Sequence, residues 1–302
     1  MNELQQQIMK LKKEKNAVIL AHYYVIDEVQ EIADYVGDSY YLAKIATKVE
    51  SDTIIFCGVS FMGESAKILN PNKTILMPDL QADCPMAHMA DVDRINAIKA
   101  EWEDLAVVCY INSTAELKEV SDVCVTSSNA MKIVKALPNK NILFIPDENL
   151  GRYIAEKVPE KHFIFNDGYC HVHAELTKDK ILAAKKLHPE AKLLMHPECK
   201  MEALQEADFI GSTSEIISYA ASCDAKEFLI ATETGVFYEL ERQNPDKHFY
   251  PIWEKQICPN MKRVSLKKVL DCLTENCNQV EVSDSLRENA NQPLNRMLEL
   301  AQ

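Results

Sequence analysis

The stretch AVILAHYYVIDEVQEIADYVGDS, residues 17–39, has two counterparts further along the chain. Shifted by 88 residues it becomes LAVVCYINSTAELKEVSDVCVTS at 105–127, and a further 86 residues on it becomes AKLLMHPECKMEALQEADFIGST at 191–213. Each copy joins a run rich in Val, Ile and Leu to a helix-like segment and a second, shorter apolar run. A short continuous apolar run is typical of a strand buried on both faces, so the pattern predicts parallel β–α–β units.

The same two offsets relate further apolar runs. These runs are TIIFCG at Thr53, NILFIP at Asn141 and EFLIAT at Glu227, then TILMPD at Thr74, HFIFND at His162 and HFYPIW at His248. We therefore predict three homologous three-layer α/β/α domains, each with a parallel sheet and about 87 residues long. We place them at residues 1–89, 90–175 and 176–302, the third with extra C-terminal helices. Pseudo-threefold symmetry would put the active site on the central axis.

Charge and composition exclude several classes of protein. The 302-residue chain has a net charge of −13, so we expect no nucleic-acid partner and no binding to anionic membranes. No apolar stretch reaches the ~18 residues of a membrane span, and the polar start is unlike a secretory signal. We therefore expect a cytoplasmic protein whose ten cysteines stay reduced. Only seven glycines are present, and no GxGxxG loop occurs, which disfavours a simple nucleotide-binding fold.

A cysteine follows the last strand of each predicted unit: Cys84, Cys170 and Cys258. Ligands of parallel α/β sheets gather beyond the carboxyl ends of the strands, so three matched thiols should face one point. Thiolates select iron–sulfur clusters, zinc or copper(I), and three of them without a fourth leave a position open for substrate. The alternative is that each is an ordinary buried cysteine. We favour a metal site because the three positions match.

The other seven cysteines have no matched placement, and we interpret them as core or surface residues. Two of them, Cys272 and Cys277, could form a bridge under oxidation, although nothing in the sequence requires one. The remaining five are Cys57, Cys109, Cys124, Cys199 and Cys223.

Two matched sets of polar residues follow the first strand of each unit. Such side chains at strand ends could transfer protons and orient a ligand, or they could simply cap the loop. The first set is His22, Tyr110 and His196, and the second is Tyr24, Asn112 and Glu198.

A matched set of hydroxyls follows the short second strands, at Ser39, Ser127 and Thr213, each at the start of a predicted helix. A hydroxyl there commonly serves as the helix N-cap. Helix starts aimed at one axis would also provide a positive potential for an anionic substrate in this acidic protein. The two roles are compatible. We expect Lys262 and Arg263, just after Cys258, to be solvent-exposed.

Several long motifs resemble the quinolinate synthase family, and the resemblance covers nearly the whole chain. They include residues 17–39, GVSFMGESAKIL, GYCHVHAE, MHPEC, ATETGVFYEL and CPNMKR. The resemblance implies a three-domain α/β fold with one [4Fe–4S] cluster per chain, held by Cys84, Cys170 and Cys258. It implies condensation of iminoaspartate with dihydroxyacetone phosphate to give quinolinate, with loss of phosphate and water, in de novo NAD biosynthesis. The iron without a protein ligand would act as a Lewis acid.

The same resemblance implies roles for individual residues. Acid–base catalysis would fall to Tyr24, Tyr110, Glu198 and His22. Substrate binding would fall to His22, Ser39, Tyr110, Asn112, Ser127, His173, His196, Glu198, Ser212 and Thr213. The partners would be the two small-molecule substrates, with a transient contact to the imine-supplying enzyme left open.

Two other interpretations remain open at this point. One is a zinc hydrolase or lyase that uses the three cysteines. The other is a non-catalytic iron–sulfur sensor, although an acidic chain without a basic helix offers no surface for DNA.

Overall fold

A computed structural model describes residues 2–302 of the chain. Within these residues the strands form three separate sheets, each of four parallel strands. Helices connect the strands of each sheet and cover its faces. This confirms the predicted fold class of three α/β/α units, each built on a parallel sheet.

The first unit places β1 (Ala17–His22) between β2 (Tyr35–Gly37) and β3 (Thr53–Cys57), and β4 (Thr74–Leu76) pairs with β3 at the edge. All of β1 is buried, as its unbroken apolar run predicts. His22 pairs with Gly37 and Ala21 with Cys57, so the carboxyl ends of the three strands lie side by side. The helices are α1 (Glu3–Glu14), α2 (Asp27–Gln30), α3 (Ser39–Ala46) and α4 (Ser60–Leu69).

The second unit repeats this order. Its central strand β5 (Leu105–Tyr110) lies between β6 (Val123–Val125) and β7 (Asn141–Ile145), with β8 (His162–Phe165) outside β7. Tyr110 pairs with Val125, which again aligns the strand ends. The helices are α5 (Val92–Glu101), α6 (Ala115–Glu119), α7 (Ala130–Ala136), α8 (Glu148–Lys157) and α9 (His171–Ala174).

The third unit has the same topology. Here β9 (Lys192–Met195) lies between β10 (Phe209–Ile210) and β11 (Glu227–Ala231), with β12 (His248–Pro251) outside β11. The helices are α10 (Lys178–Leu187), α11 (Met201–Leu204), α12 (Thr213–Ser222) and α13 (Val236–Gln243).

An aspartate fixes the register of the first and second strands in every unit. Asp34 Oδ2 accepts a hydrogen bond from the Ile19 amide at 2.8 Å, and the Asp34 amide donates to Ile19 O at 2.9 Å. Asp122 and Asp208 repeat the side-chain contact with the amides of residues 107 and 193, at 2.7 and 2.8 Å. These three aspartates occur at the same offsets in the sequence, so they are a structural device and not part of the cavity.

Two helices follow the third unit, α14 (Leu266–Glu275) and α15 (Asp284–Leu300). They do not pack on that unit. Helix α14 lies against α1 and β3, and α15 lies across α4, α6 and β6. Leu294 and Met297 of α15 are fully buried in a core that the first two units share. Helix α15 therefore joins the first two units, while α14 packs on the first.

Among the helices of residues 2–302, none combines the length and the apolar composition needed to cross a membrane.

Candidate active site

One cavity lies where the strands of all three sheets end. Its walls come mainly from the loops that follow the first, second and last strands of each repeat. Val59, Phe61 and Glu233 line it from the segments after third strands. The predicted residues that line it are His22, Tyr24, Ser39, Cys84, Tyr110, Asn112, Ser127, Cys170, His173, His196, Glu198, Thr213 and Cys258. Ser212, the remaining member of the predicted set, is fully buried outside the lining.

The three cysteines have the same local setting. Cys84 precedes a helical turn at Pro85–His88, Cys170 precedes α9, and Cys258 lies just before a turn at Met261–Arg263. Each thiol is half-buried and unpaired with any other cysteine. The repeat therefore delivers one sulfur from each unit to the same cavity, as the matched spacing predicts.

The surroundings of the three sulfurs fit a thiolate-bound metal group. Burial raises the pKa of Cys84 to about 12, raises that of Cys170 well above its ordinary value and also raises that of Cys258. Thiols in such a dry site become thiolates when a metal compensates the charge. The turns add apolar walls through Met86, Val172 and Met261, and each is at most 6% exposed. Three soft donors in an apolar setting suit an iron–sulfur cluster.

A second group of donors lies next to Cys170. Its Sγ and one ligand atom each of His173 and Glu198 all lie within 4.8 Å of one another. A thiolate, an imidazole and a carboxylate are also a plausible ligand set for a single zinc ion. In the structure, however, His173 and Glu198 contact each other directly.

Two histidines occupy equivalent places in the first and third units. His22 Nδ1 accepts the Tyr24 amide at 3.1 Å, and His196 Nδ1 accepts the Glu198 amide at 3.4 Å. Burial lowers the pKa of each histidine to about 3. Both rings are therefore neutral at physiological pH and carry their hydrogen on Nε2, which makes them donors toward a ligand.

Glu198 lies at the centre of a buried polar group. Its Oε2 is 2.6 Å from His173 Nδ1 and 3.6 Å from His196 Nδ1. The two imidazole rings stack with their centroids 4.6 Å apart. Burial by itself would raise the pKa of Glu198, but the charge and hydrogen bond of His173 outweigh it and lower the value to about 2. Glu198 is therefore a carboxylate anion at neutral pH.

Two tyrosines from different units face this group. The Tyr24 hydroxyl lies 2.7 Å from Thr213 Oγ1 and 2.7 Å from Thr232 Oγ1. Burial raises the pKa of Tyr24 well above its ordinary value, and burial followed by the charge of Glu198 does the same for Tyr110. Both phenols are therefore protonated and can act as acids or hydrogen-bond donors.

Two acceptors remain for a ligand. Glu198 Oε1 and Asn112 Oδ1 are buried and make no hydrogen bond to any residue of the described chain. Both residues line the cavity. A buried polar atom normally has a partner, so these two atoms mark where a polar ligand would bind.

The hydroxyl set does not cap its helices. The cap of α3 is Asp38, whose Oδ1 accepts the Tyr41 amide at 2.9 Å, and the cap of α12 is Ser212, whose Oγ accepts the Glu215 amide at 3.3 Å. Ser39 and Thr213 lie one residue inside the helix, so of the two roles left open for them the N-cap role falls to the residue before each. Their hydroxyls line the cavity instead.

Lys262 is not solvent-exposed, contrary to the expectation from the sequence. Its side chain is 23% exposed and its Nζ lies 3.0 Å from Oε1 of Glu233, which is 1% exposed. Sequence reasoning missed Glu233 and Thr232, which follow β11. The signal was present, because Glu233 lies at the same offset from Asp147 as His196 does from Tyr110. For Lys262, by contrast, the sequence does not indicate that Glu233 is its partner.

Carboxylates hold the amides of two of the cavity cysteines. Glu233 Oε1 accepts the Cys258 amide at 3.0 Å, and Asp83 Oδ1 accepts the Cys84 amide at 2.8 Å. In the second unit Asp147 is fully buried, and its Oδ1 accepts the Leu150 amide at 2.7 Å. Two of the three sulfur-bearing loops are thus fixed by an acidic side chain, and these two acids do not come from matched positions.

Three homologous α/β units that share one cavity, with a cysteine from each and a Cys170, His173 and Glu198 group that could hold a metal ion, are the features of an enzyme. The chain belongs to the quinolinate synthetase A family, because the family model described as "Quinolinate synthetase A protein" matches residues 6–299. This confirms the family resemblance that the motifs indicated.

Curated relatives agree with the family over nearly the whole chain. A protein named quinolinate synthase from Fusobacterium nucleatum is 51% identical over 298 residues, which is 99% of either chain. One from Caldicellulosiruptor saccharolyticus is 48% identical over 299 residues, and one from Clostridium perfringens is 49% identical over 298 residues, each again covering 99% of both chains. These relatives are enzymes by name, in agreement with the enzyme predicted for this chain.

Proposed function

We propose that this protein is a quinolinate synthase that serves NAD biosynthesis, condensing iminoaspartate with dihydroxyacetone phosphate with loss of phosphate and water. The observation that carries the proposal is the meeting of three cysteines, one from each unit, with the Glu198 polar group in a single cavity. Family membership over residues 6–299 supports the same activity.

Cys84, Cys170 and Cys258 would hold a [4Fe–4S] cluster, since they are the soft donors that reach the cavity from all three units. When bound, such a cluster with one iron free of protein ligands supplies a Lewis acid. The amides of Cys84 and Cys258 are already held by carboxylates, so these two loops are fixed before any metal binds.

Anionic substrates would bind at the hydroxyl side of the cavity. Ser39, Ser127 and Thr213 offer hydroxyls there, and the first turns of α3 and α12 offer amide groups and the positive end of a helix dipole. The neutral rings of His22 and His196 add Nε2 donors. This arrangement attracts carboxylate or phosphate without a surplus of lysine or arginine in an acidic protein.

Proton transfer would be divided between an anion and two phenols. Glu198 is ionised and can accept a proton, with His173 holding its carboxylate in place. Tyr24 is protonated and lies between Thr213 and Thr232, where it can donate to a leaving oxygen. Tyr110 approaches Glu198 from the second unit and can relay a proton to or from it.

The partners in this proposal are the two small-molecule substrates, with a transient contact to an enzyme that supplies the imine. The reaction would take place in the cytoplasm. We retain residues 1–89, 90–175 and 176–302 as the three sequence units, with the packing of α14 and α15 on the first two noted above.

The experiment is purification without oxygen, followed by iron, sulfide and zinc analysis and a chromatographic assay for quinolinate. We expect a brown protein with about four irons and four sulfides per chain and quinolinate formed from both substrates together. A colourless protein with one zinc per chain would overturn the cluster. It would favour the Cys170, His173 and Glu198 group as a single-metal lyase site.

A further inference from the structure

We propose that Glu233 and Lys262 are positioning residues that lock the Cys258 loop of the third unit to the Tyr24 loop of the first. The inference rests on the proposed function, because it gives the ion pair a task in that active site. Neither residue has to touch substrate for this role, since each acts through a neighbour that lines the cavity.

Glu233 uses both of its carboxylate oxygens within its own unit. Oε1 accepts the Cys258 amide at 3.0 Å, and Oε2 accepts the Gly235 amide at 2.6 Å. The side chain is 1% exposed, so these contacts are shielded from water. The carboxylate therefore determines where the cysteine loop lies relative to the end of β11.

Lys262 carries the connection to the first unit. Its Nζ lies 3.0 Å from Glu233 Oε1 and donates to the backbone oxygen of Tyr24 at 2.7 Å. Its own amide donates to Cys258 O at 3.2 Å, which places the ammonium on the cysteine turn itself. One cation thus contacts the acid that holds Cys258 and the main chain of Tyr24.

The Tyr24 loop also closely approaches the loop that follows β11 and carries Glu233. A Cβ on Gly235 would lie 2.6 Å from Tyr23 O and 2.7 Å from Tyr24 Cα, so glycine is needed for the close approach. Gln30 Nε2 bridges the seam by donating to Tyr23 O at 2.8 Å and to Gly235 O at 3.0 Å. The contact between the first and third units is therefore made by polar groups. It leaves the Tyr24 loop and the loop after β11 little room to move.

Among the described residues, the Glu233–Lys262 ion pair has no equivalent in the other two repeats. The matched acid of the second unit, Asp147, caps α8 through the Leu150 amide at 2.7 Å and has no lysine beside it among the described residues. The matched position of the first unit is Val59. Only the third unit's acid is connected, through a cation, to the loop that carries a catalytic tyrosine. A buried acid that loses its cation is strongly destabilised, so removal of either partner should loosen both loops.

The test compares Lys262→Met, Lys262→Arg and Glu233→Gln with Lys178→Met, which breaks an exposed pair with Glu206 in the same unit. Hydrogen exchange of the intact anaerobic protein is followed by mass spectrometry. We expect Lys262→Met to raise exchange at residues 22–25 and 256–262 by about tenfold. Lys262→Arg should restore much of the protection, and Lys178→Met should leave both segments unchanged.

Two further readouts separate positioning from general instability. Iron release to a chelator should be about fivefold faster in Glu233→Gln and Lys262→Met, because the Cys258 loop is no longer held. In a double-mutant cycle, Tyr24→Phe should cost kcat much less in the Lys262→Met background than in the wild type. Increased hydrogen exchange in only one of the two loops would overturn the inference. Additive losses of kcat in the double-mutant cycle, together with an unchanged rate of iron release, would also overturn it. A wild type without iron or quinolinate synthesis would refute the proposed function, while the exchange result would still decide the lock.

Discussion

His22 and His196 lie at the same place in two repeats, and each accepts through Nδ1 the amide two residues further along, that of Tyr24 and of Glu198. The shared hydrogen bond fixes the same tautomer in both rings. The two histidines therefore present Nε2 donors to one cavity from different units, while the residue two positions on differs in chemistry. The repeat supplies the frame, and the variation within it places a phenol on one side and a carboxylate on the other.

The three cavity cysteines should be required for the metal group individually. Cys84→Ser, Cys170→Ser and Cys258→Ser should each lose the cluster and the activity, since a hard hydroxyl replaces a soft ligand. Iron and sulfide content and quinolinate formation are the measurements.

Cys199→Ser is the matched control for these variants. Cys199 is buried and follows Glu198 directly in the sequence. Its Sγ contacts Ala231 O at 3.7 Å, however, and Cys199 does not line the cavity. The Cys199→Ser variant should retain its iron and its activity. A full cluster in any one of the three cavity variants would refute the tripod of ligands.

Glu198→Gln should reduce kcat by about 100-fold, because the amide keeps the shape of the side chain but cannot accept a proton. The steady-state rate of quinolinate formation at fixed iron content measures the effect. Glu206→Gln, on the surface beside Lys178, is the control and should behave as wild type. A rate within threefold of wild type would contradict the role of Glu198 as an anionic base, since about 3 kcal/mol of transition-state stabilisation is expected from it.

Acid should weaken the fold through the neutral histidines. Both His22 and His196 have their pKa lowered to about 3 by burial, so the unfolded chain binds protons that the folded chain does not as the pH falls below about 6.5. Each should cost about 1 kcal/mol of unfolding free energy between about pH 7 and about pH 5.5. Urea unfolding of His196→Asn at the two pH values should show a smaller pH dependence by that amount. An identical pH dependence in the variant and the wild type would show that His196 is charged in the folded state.

Asp122→Ala should destabilise the second unit by about 1–3 kcal/mol, because the buried Val107 amide loses its partner. Asp122→Asn keeps an acceptor oxygen and should recover most of the loss. Thermal or urea unfolding gives the comparison. Equal stability of Asp122→Ala and wild type would mean that the aspartate triple does not hold the strands in register.

Much of the fold could be predicted because it is repeated. Offsets of 88 and 86 residues locate His22, Tyr110 and His196 after equivalent strands, and the parallel sheets bring them to one cavity. The sequence left both a cap and a ligand role open for Ser39 and Thr213. The caps are Asp38 and Ser212, one residue earlier, because Asp and Ser are both good caps and residue type alone does not choose between neighbours.

Other contacts could not be predicted, because the residue type does not reveal its partner. Lys262 belongs to the residue type most often found in solvent, and its burial depends on Glu233 at a different strand end and on a carbonyl of the first unit. Helix α15 likewise shows an apolar face in its sequence, but not that the face belongs on β6 and α4.

The position of α15 affects how the protein folds during its synthesis on the ribosome. The first two units share a core with Leu294 and Met297, which are synthesised after the strands of all three units. During translation the apolar surface of α4 and α6 therefore stays uncovered until α15 emerges. Completion of the N-terminal half is therefore a late event, and the nascent chain is exposed to aggregation for most of its synthesis.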